Sequence, residues 1–340
     1  MKKIFILLAF IYISSISVAQ VAVPNPEDGL VKWMTLKEAQ EALKKQPRPV
    51  IIDVYTDWCG WCKHMIKTTY SNPYLAEYIN NNFYPVKFNA ETKDTVEFLG
   101  EKYINKSNVP RSPNDLAIKL LNGKLSYPTT LFMNNNFKFT LSASGYLDIP
   151  KIEPLLVFTL ENVYLTTQAE EFQKRYSQAF YDTSSVKKYP VKWISMDNAL
   201  KLNNDKPRKI LVNLYSDYCN SCRVMTRTTY TDSAVAAYLN ENFYLVNFNI
   251  VSKDSVHYNG NVFTNKNGIN EFAYTLSGSG IYLPSISLFN EENKLITNIP
   301  YYITPQNMLP VIYYFGQGSY LKIKWEDYLK NYSQLHPSKP

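Results

Sequence analysis

The four cysteines of the chain come in two pairs at one spacing: Cys59 and Cys62 in DVYTDWCGWCK, and Cys219 and Cys222 in NLYSDYCNSCR. Two thiols three residues apart can hold a metal, close a small structural ring, or exchange electrons with other disulfides. A zinc site built from two C-x-x-C pairs wants them roughly 15–20 residues apart, whereas Cys62 and Cys219 are 157 apart (219 − 62). A structural staple gains from the length of loop it closes, and a C-x-x-C ring closes almost none. Neither alternative fits well, and redox exchange is the chemistry best matched to the first pair.

Exchange needs an ionised sulfur, and the surrounding pattern supplies a place for one. Residues 49–55, PVIIDVY, form a short apolar run rich in β-branched residues and read as a buried strand. A brief turn and the C-x-x-C follow, and then Met65, Ile66 and Tyr70 recur as on a helix. Cys59 thus falls at a helix N-terminus, where unsatisfied N–H groups point outward and the dipole favours thiolate over thiol. A thiol near pKa 8.5 is only about 3% ionised at pH 7, against about half for one near 7. Cys59 is expected to sit bare and attack; Cys62, one turn on and more buried, to resolve the mixed disulfide. Gly60 is expected to allow the tight turn, Lys63 to be solvated, and His64 either to tune Cys59 or, more simply, to face water.

The remaining elements alternate. Leu36–Lys45 has a helical pattern ended by Pro47 and Pro49, and Tyr84–Asn89 reads as a second strand. Asn114 can cap a helix running through Leu121, with Gly123 ending it. Residues 131–133 read as a third strand, followed by a hairpin through Asn134-Asn135-Asn136, and residues 149–176 as one long helical pattern. Such an order implies a three-layer α/β/α sandwich with a mixed sheet.

The chain states this pattern twice. Laying Val31 on Val191 gives an ungapped match of about 70 residues with roughly 27 identities. After a short length change it resumes, with Tyr127-Pro128-Thr129 opposite Leu283-Pro284-Ser285 and Tyr176-Ser177-Gln178 opposite Tyr332-Ser333-Gln334. Two α/β domains are expected, 24–180 and 185–337, joined by a short polar linker at 181–188; a length of 340 residues suits about two domains.

The first residues read as an export signal. Met1-Lys2-Lys3 is positive, residues 4–18 are an apolar run, and Ser17-Val18-Ala19 is a small-x-small site, so a signal peptide 1–19 cut after Ala19 is expected. A spanning helix needs about 20 apolar residues, and no cysteine near the cut would take a lipid. Removing Lys2 and Lys3 lowers the formal charge from +7 to +5 (7 − 2), too small and dispersed for nucleic acid. The 28 tyrosines are scattered rather than clustered with Lys and Arg, which suits a packed core better than a base-stacking platform. The mature chain is expected to be periplasmic or secreted, free of the membrane, where disulfides persist.

With these residues in place, each half resembles the thioredoxin-fold family, in a tandem, exported bacterial form. WCGWCK at 58–63 is similar to the family's active-site phrase. The resemblance implies that Asp53 is a buried proton acceptor for Cys62 and that Lys87, in KFNAE, pairs with it. It implies a cis-proline at Pro128, with Tyr127 presenting backbone to a substrate strand beside Cys59, and the same for Leu283 and Pro284. Trp58, Gly60 and Trp61 would border bound substrate, and no organic cofactor or metal is implied. About 20 residues near 92–112 exceed the minimal family pattern and would form a lid or specificity loop.

The second copy differs at several of these positions together: Asp53 becomes Asn213, Lys87 becomes Asn247, Trp58 becomes Tyr218, and Gly60-Trp61 becomes Asn220-Ser221. Stranding one member of a buried ion pair costs about 3–5 kcal/mol, so a joint change to amides supports the pairing of Asp53 with Lys87. Domain 1 is then expected to be the active thiol–disulfide oxidoreductase centre, with a lean to reductase, and domain 2 a weaker exchanger using Cys219 and Cys222. The expected partners are protein disulfides or dithiols and a second redox protein that recycles the pair. The other reading is a binding or chaperone-like scaffold of two such domains with largely idle cysteines.

Overall fold

The structure is a computed structural model and describes residues 28–182, 191–278 and 280–335. The expected signal segment 1–19 and its cut lie outside the described residues, as do residues 183–188 of the expected linker and the outer ends of both expected domain spans.

The first copy runs α1 (Leu36–Lys45), β1 (Val50–Tyr55), α2 (Gly60–Thr68), α3 (Pro73–Asn82), β2 (Tyr84–Asn89), β3 (Val96–Phe98), β4 (Glu101–Tyr103), α4 (Asp115–Leu120), β5 (Thr129–Met133), β6 (Phe139–Ser144), α5 (Ile149–Leu160) and α6 (Ala169–Phe180). The second runs β7 (Trp193–Ile194), α7 (Met196–Asp205), β8 (Lys209–Tyr215), α8 (Asn220–Thr228), α9 (Ser233–Asn242), β9 (Phe243–Asn249), β10 (Val256–Tyr258), β11 (Asn261–Phe263), β12 (Asn265–Lys266), β13 (Ile269–Asn270), α10 (Glu271–Ser277), β14 (Ser285–Phe289), β15 (Leu295–Pro300), α11 (Pro305–Gly316) and α12 (Trp325–Leu335). None of the described helices is long and apolar enough to cross a membrane.

Each domain has one mixed central sheet, in the order β2-β1-β5-β6 and β15-β14-β8-β9-β7. β1 pairs parallel with β2 and antiparallel with β5. Its residues Val50 to Val54 are buried on both faces, which is why this segment reads as a continuous apolar run rather than an alternating one. One face packs Ile52 and Val54 with Leu36, Ala39, Leu116 and Leu120; the other packs Ile51 and Phe132 with Met65, Ile66, Leu75 and Ile79. These are the three α/β/α layers anticipated for each copy.

Two local features depart from the sequence reading. The pattern over 149–176 is not one helix: α5 stops at Leu160, and Asn162 takes a left-handed backbone (φ 56) before a short 3₁₀ turn at Val163–Leu165 and then α6. Asparagine tolerates this conformation, and α6 packs against both α5 and the second copy's α8. The other departure lies between the domains. Phe158, Val163, Phe172, Tyr176 and Ala179 of the first copy share one core with Val224, Met225, Tyr302 and Ile303 of the second. Thr166 Oγ1 donates to the Tyr302 carbonyl at 2.6 Å, and Arg227 Nη1 donates to the Ala179 carbonyl at 2.8 Å. The last helices of domain 1 are thus the docking face for α8, the helix that follows the second C-x-x-C.

Candidate active site

Cys59 is the N-cap residue of α2, and its Sγ accepts from the Cys62 backbone N–H at 3.1 Å. The positive end of the helix therefore points at this sulfur, the placement expected from the strand–turn–helix order. Both pairs are disulfides, Cys59–Cys62 and Cys219–Cys222. The expectation that Cys59 sits bare and Cys62 lies deeper is corrected: each residue is 4% exposed. The sulfur–sulfur bond ties the two atoms together at the helix end. Trp58 and Trp61 flank the pair at 50% and 62% exposure.

Gly60 is also corrected. It is the first residue of α2, and nothing stands within 4 Å of where its Cβ would lie, so the turn does not require glycine. Asn220 occupies the matching place in domain 2.

Trp58 is held from three sides. Its indole N–H donates to Glu91 Oε1 at 2.9 Å, its ring meets that of Tyr127 edge-on at 6.2 Å, and the Arg111 guanidinium lies 5.0 Å over it. Tyr127 precedes Pro128, and both the Tyr127–Pro128 and Leu283–Pro284 bonds are cis. The ring contact thus brings the Pro128 segment to the residue before Cys59. Arg111 belongs to the extra segment 92–112, whose β3–β4 hairpin and following loop end against Trp58. Sequence reasoning missed Glu91 and Arg111 as neighbours of the site because neither lies near the C-x-x-C in the chain. His64 does not pair with Cys59 here; its ring lies 5.6 Å from Trp61 and 5.0 Å from Tyr146.

Behind the disulfide lies a cavity of about 550 Å³ lined by Asp53, Cys62, Thr56, Lys87 and Asp28, among others. Asp53 is buried and its Oδ1 has no hydrogen-bond partner. Burial pushes its carboxyl up to about 7, against a smaller downward pull from Lys87. A carboxyl that exchanges its proton near neutrality, on the same cavity as the resolving sulfur, can act as its proton acceptor.

The expected ion pair is different in detail. Asp53 and Lys87 are register partners across β1 and β2, but the Lys87 ammonium bonds to Asp28 and also lies 5.0 Å over the Tyr55 ring. Lys87 acts on Asp53 through space rather than by a direct bond. The sequence comparison suggested a pair because both positions change together; Asp28 lay too far upstream to be noticed, although its counterpart is also changed, to Lys188. In domain 2 the replacing amides bond each other directly, Asn213 Nδ2 to Asn247 Oδ1 at 2.8 Å, and the Tyr230 hydroxyl donates to Asn213 Oδ1 at 3.0 Å. No carboxylate is among the residues that line the smaller cavity beside Cys222 except Asp217.

The second pair keeps the same local geometry, with Cys219 as N-cap accepting from the Cys222 N–H at 3.1 Å and 7% exposed. What stands against it is new. The carboxylate of Glu161, at the end of α5, accepts from the Asn220 N–H at 2.9 Å, the Ser221 N–H at 2.7 Å and the Ser221 hydroxyl, and lies 3.6 Å from Cys219 Sγ. Nothing in the local sequence signals this contact, since it spans 58 residues between Glu161 and Cys219. His257, which showed no partner pattern in the sequence, pairs with Asp197 through Nδ1 at 2.9 Å on the surface, and His336 lies outside the described residues.

Fold and site together define a tandem thioredoxin-like protein, two α/β/α domains with one vicinal cysteine pair each. Residues 22–151 match the Thioredox_DsbH family, described as a protein of unknown function, DUF255, and residues 192–290 match Thioredoxin_7, described as thioredoxin-like. The chain is similar to the thiol:disulfide interchange protein DsbD of Pectobacterium atrosepticum, 38% identical over 45 residues, which is 13% of this chain and 8% of that protein. It is also 26% identical over 95 residues to an uncharacterized protein of Archaeoglobus fulgidus, covering 28% of this chain and 72% of that one. Among solved structures, a thioredoxin-fold protein from Helicobacter pylori is 19% identical, with 47% of this chain and 99% of that chain covered and a TM-score of 0.31. The chain spans less than a tenth of the DsbD protein it matches.

Proposed function

We propose that this chain is an exported thiol–disulfide oxidoreductase whose working centre is the Cys59–Cys62 pair. The observation that carries this reading is the cavity shared by Asp53 and Cys62 behind a helix whose N-cap is Cys59. In the reduced enzyme the Cys59 thiolate attacks a substrate disulfide. The substrate bond breaks, a Cys59 mixed disulfide forms, and the departing substrate sulfur takes up a proton. Cys62 then passes its proton to Asp53 and attacks Cys59 Sγ, which releases the second substrate thiol and leaves the Cys59–Cys62 disulfide. Two electrons pass from the enzyme dithiol to the substrate, and a dithiol redox partner restores the starting state.

Trp58, Trp61, Tyr127 and Pro128 border the bound substrate segment in this reading, and Gly60 leaves the helix end open to it. Lys87 pulls the Asp53 carboxyl back toward its charged form against the larger effect of burial. The lean to reduction over oxidation or isomerisation rests on Asp53 and Lys87 behind Cys62 and on Trp58 before Cys59. Domain 2 exchanges more slowly, since Cys222 lacks the counterpart of Asp53 and only Leu283-Pro284 with Cys219 remain from the site. The N-terminal signal pattern supports a periplasmic or secreted location, and the domain spans 24–180 and 185–337 follow the internal repeat.

A Cys62→Ser variant tests this. It leaves Cys59 able to attack but unable to be resolved, so protein substrates should accumulate as mixed disulfides at Cys59, reversible by dithiothreitol. A variant that traps no protein, in a chain that still binds its partners without any cysteine, would replace this reading with the scaffold.

A further inference from the structure

The same C-x-x-C geometry occurs twice, yet only one copy has a carboxylate lodged against it. Glu161 is carried by the end of α5, where the left-handed Asn162 stops the helix and aims its last side chain at the neighbouring domain. The carboxylate takes up the free N–H groups of Asn220 and Ser221 at the start of α8 and the Ser221 hydroxyl, and stands 3.6 Å from Cys219 Sγ. These are the first two free N–H groups of α8, part of the positive helix end that would otherwise favour a Cys219 thiolate; the Cys222 N–H still donates to that sulfur at 3.1 Å. In domain 1 the matching residues are Gly60 and Trp61, and Trp61 is 62% exposed.

The surroundings hold Glu161 in place. Thr166 bonds to the Tyr302 carbonyl, Phe172 meets the Tyr302 ring edge-on at 5.2 Å, and Arg227 bonds to the end of α6. Tyr302 is fully buried by this docking, while Tyr146, its counterpart in domain 1, is only partly covered. The other charged group acting on Glu161 is Arg223, on α8 itself. Burial raises the Glu161 carboxyl and the bonds from Ser221 and Asn220 oppose the rise, so charge at this spot is costly but well satisfied.

We infer that Glu161 is an interdomain seal on the second cysteine pair: domain 1 lays a carboxylate over the Cys219 end of α8 and blocks thiol–disulfide exchange there while the domains are docked. An incoming thiolate that attacks Cys219 Sγ must break the Cys219–Cys222 bond, form a mixed disulfide and release Cys222 as a thiolate that then takes a proton. The approach brings a negative sulfur into the space beside a half-buried negative carboxylate, which opposes it. If the pair is reduced, ionisation of Cys219 meets the same opposing charge, and of the first three N–H groups of α8 only that of Cys222 is left to the sulfur. The second pair is thus gated by the contact with domain 1, and not only slowed by the loss of an acidic residue behind Cys222. This inference deepens the proposed inequality of the domains and rests on that reading.

The test is site-resolved reduction by dithiothreitol, which is oxidised to its cyclic disulfide as each protein disulfide becomes two thiols. Samples are quenched with an alkylating reagent, and the peptides bearing Cys59–Cys62 and Cys219–Cys222 are followed separately by mass spectrometry. Wild type is compared with Glu161→Gln, which keeps the shape and removes the charge, and with Glu161→Ala, which opens the space. The seal requires that Cys219–Cys222 reduce slowly in the wild type and at least about tenfold faster in both variants, with Cys59–Cys62 unchanged. A slow second pair whose rate neither variant moves overturns the seal and leaves the inequality standing. Equal rates for the two pairs in the wild type overturn both. A rise shared by both pairs marks general loosening of the fold and also overturns a local seal.

Discussion

Lys87 stands directly across from Asp53 in the parallel β1–β2 register, but its ammonium bonds to Asp28. The cavity behind Cys62 therefore holds three coupled charges instead of a simple pair. Asp28 draws the lysine outward, and Asp53 is left with one unpartnered oxygen and a carboxyl pushed up to about 7. A direct bond from the lysine would hold Asp53 ionised and make it a weak base. The triad leaves it near the protonation midpoint at neutral pH, where proton transfer to and from Cys62 is most effective.

Asp53 should make stability fall as pH rises. Its folded value of about 7 lies above the ordinary 3.8, so its contribution is fully present below about pH 4 and is lost as pH rises through about 7. Asp53→Asn cannot titrate. The unfolding free energy of wild type minus that of Asp53→Asn should drop by on the order of a few kcal/mol between pH 4 and pH 8. Urea unfolding at several pH values measures this, and a flat difference would show that Asp53 titrates no higher in the folded chain than in the unfolded one.

The same substitution should slow the resolving step. With no acceptor for the Cys62 proton, release of the Cys59 mixed disulfide should fall on the order of 100-fold at pH 7. Initial attack by Cys59 should change far less. Stopped-flow measurement of the two phases separates them.

Asp28 should act through Lys87. Asp28→Asn frees the ammonium to approach Asp53, and the midpoint of the pH–rate profile for resolution should move down by about one unit. Lys87→Met removes the pull altogether and should move the midpoint up. Shifts in one direction for both variants would mean that the lysine does not act on Asp53.

Phe172 should couple the domains. It is fully buried in the shared core, against Phe158, Tyr176 and Tyr302. Phe172→Ala should cost about 3–5 kcal/mol and split a single urea transition into two, as the domains come apart before unfolding. Circular dichroism and tryptophan fluorescence, followed together, distinguish the two outcomes.

Trp58 should matter more for protein substrates than for small ones. Its ring joins Tyr127, Glu91 and Arg111 at the edge of the site. Trp58→Ala should lower kcat/KM for a protein disulfide by roughly tenfold, the loss of one well-packed aromatic anchor. The rate with a small aromatic disulfide should stay within about threefold.

Much of the molecule was legible because the signals are local. The buried strand at 50–55 declares itself by an unbroken apolar run, α1 by its helical period ended by Pro47 and Pro49, and the doubling by two C-x-x-C phrases in equal frames. The reactive ends of α2 and α8 follow from where cysteine falls between strand and helix. Gly60 was misjudged because a glycine in a turn looks necessary until the open space around it is seen.

The chain's spacing and period alone determined two copies of one α/β domain, two cysteine pairs at helix N-termini, and the joint loss of charge behind the second pair. Backbone geometry and burial preferences within a few residues suffice for that. Only the tertiary structure decided which carboxylate meets which cation, and that Glu161 of one domain lies on Cys219 of the other. Those contacts join residues 58 or 59 positions apart through the bend at Asn162 and the β-sheet register. Such distances are set by how packed elements settle against one another, and no local pattern in the chain encodes them.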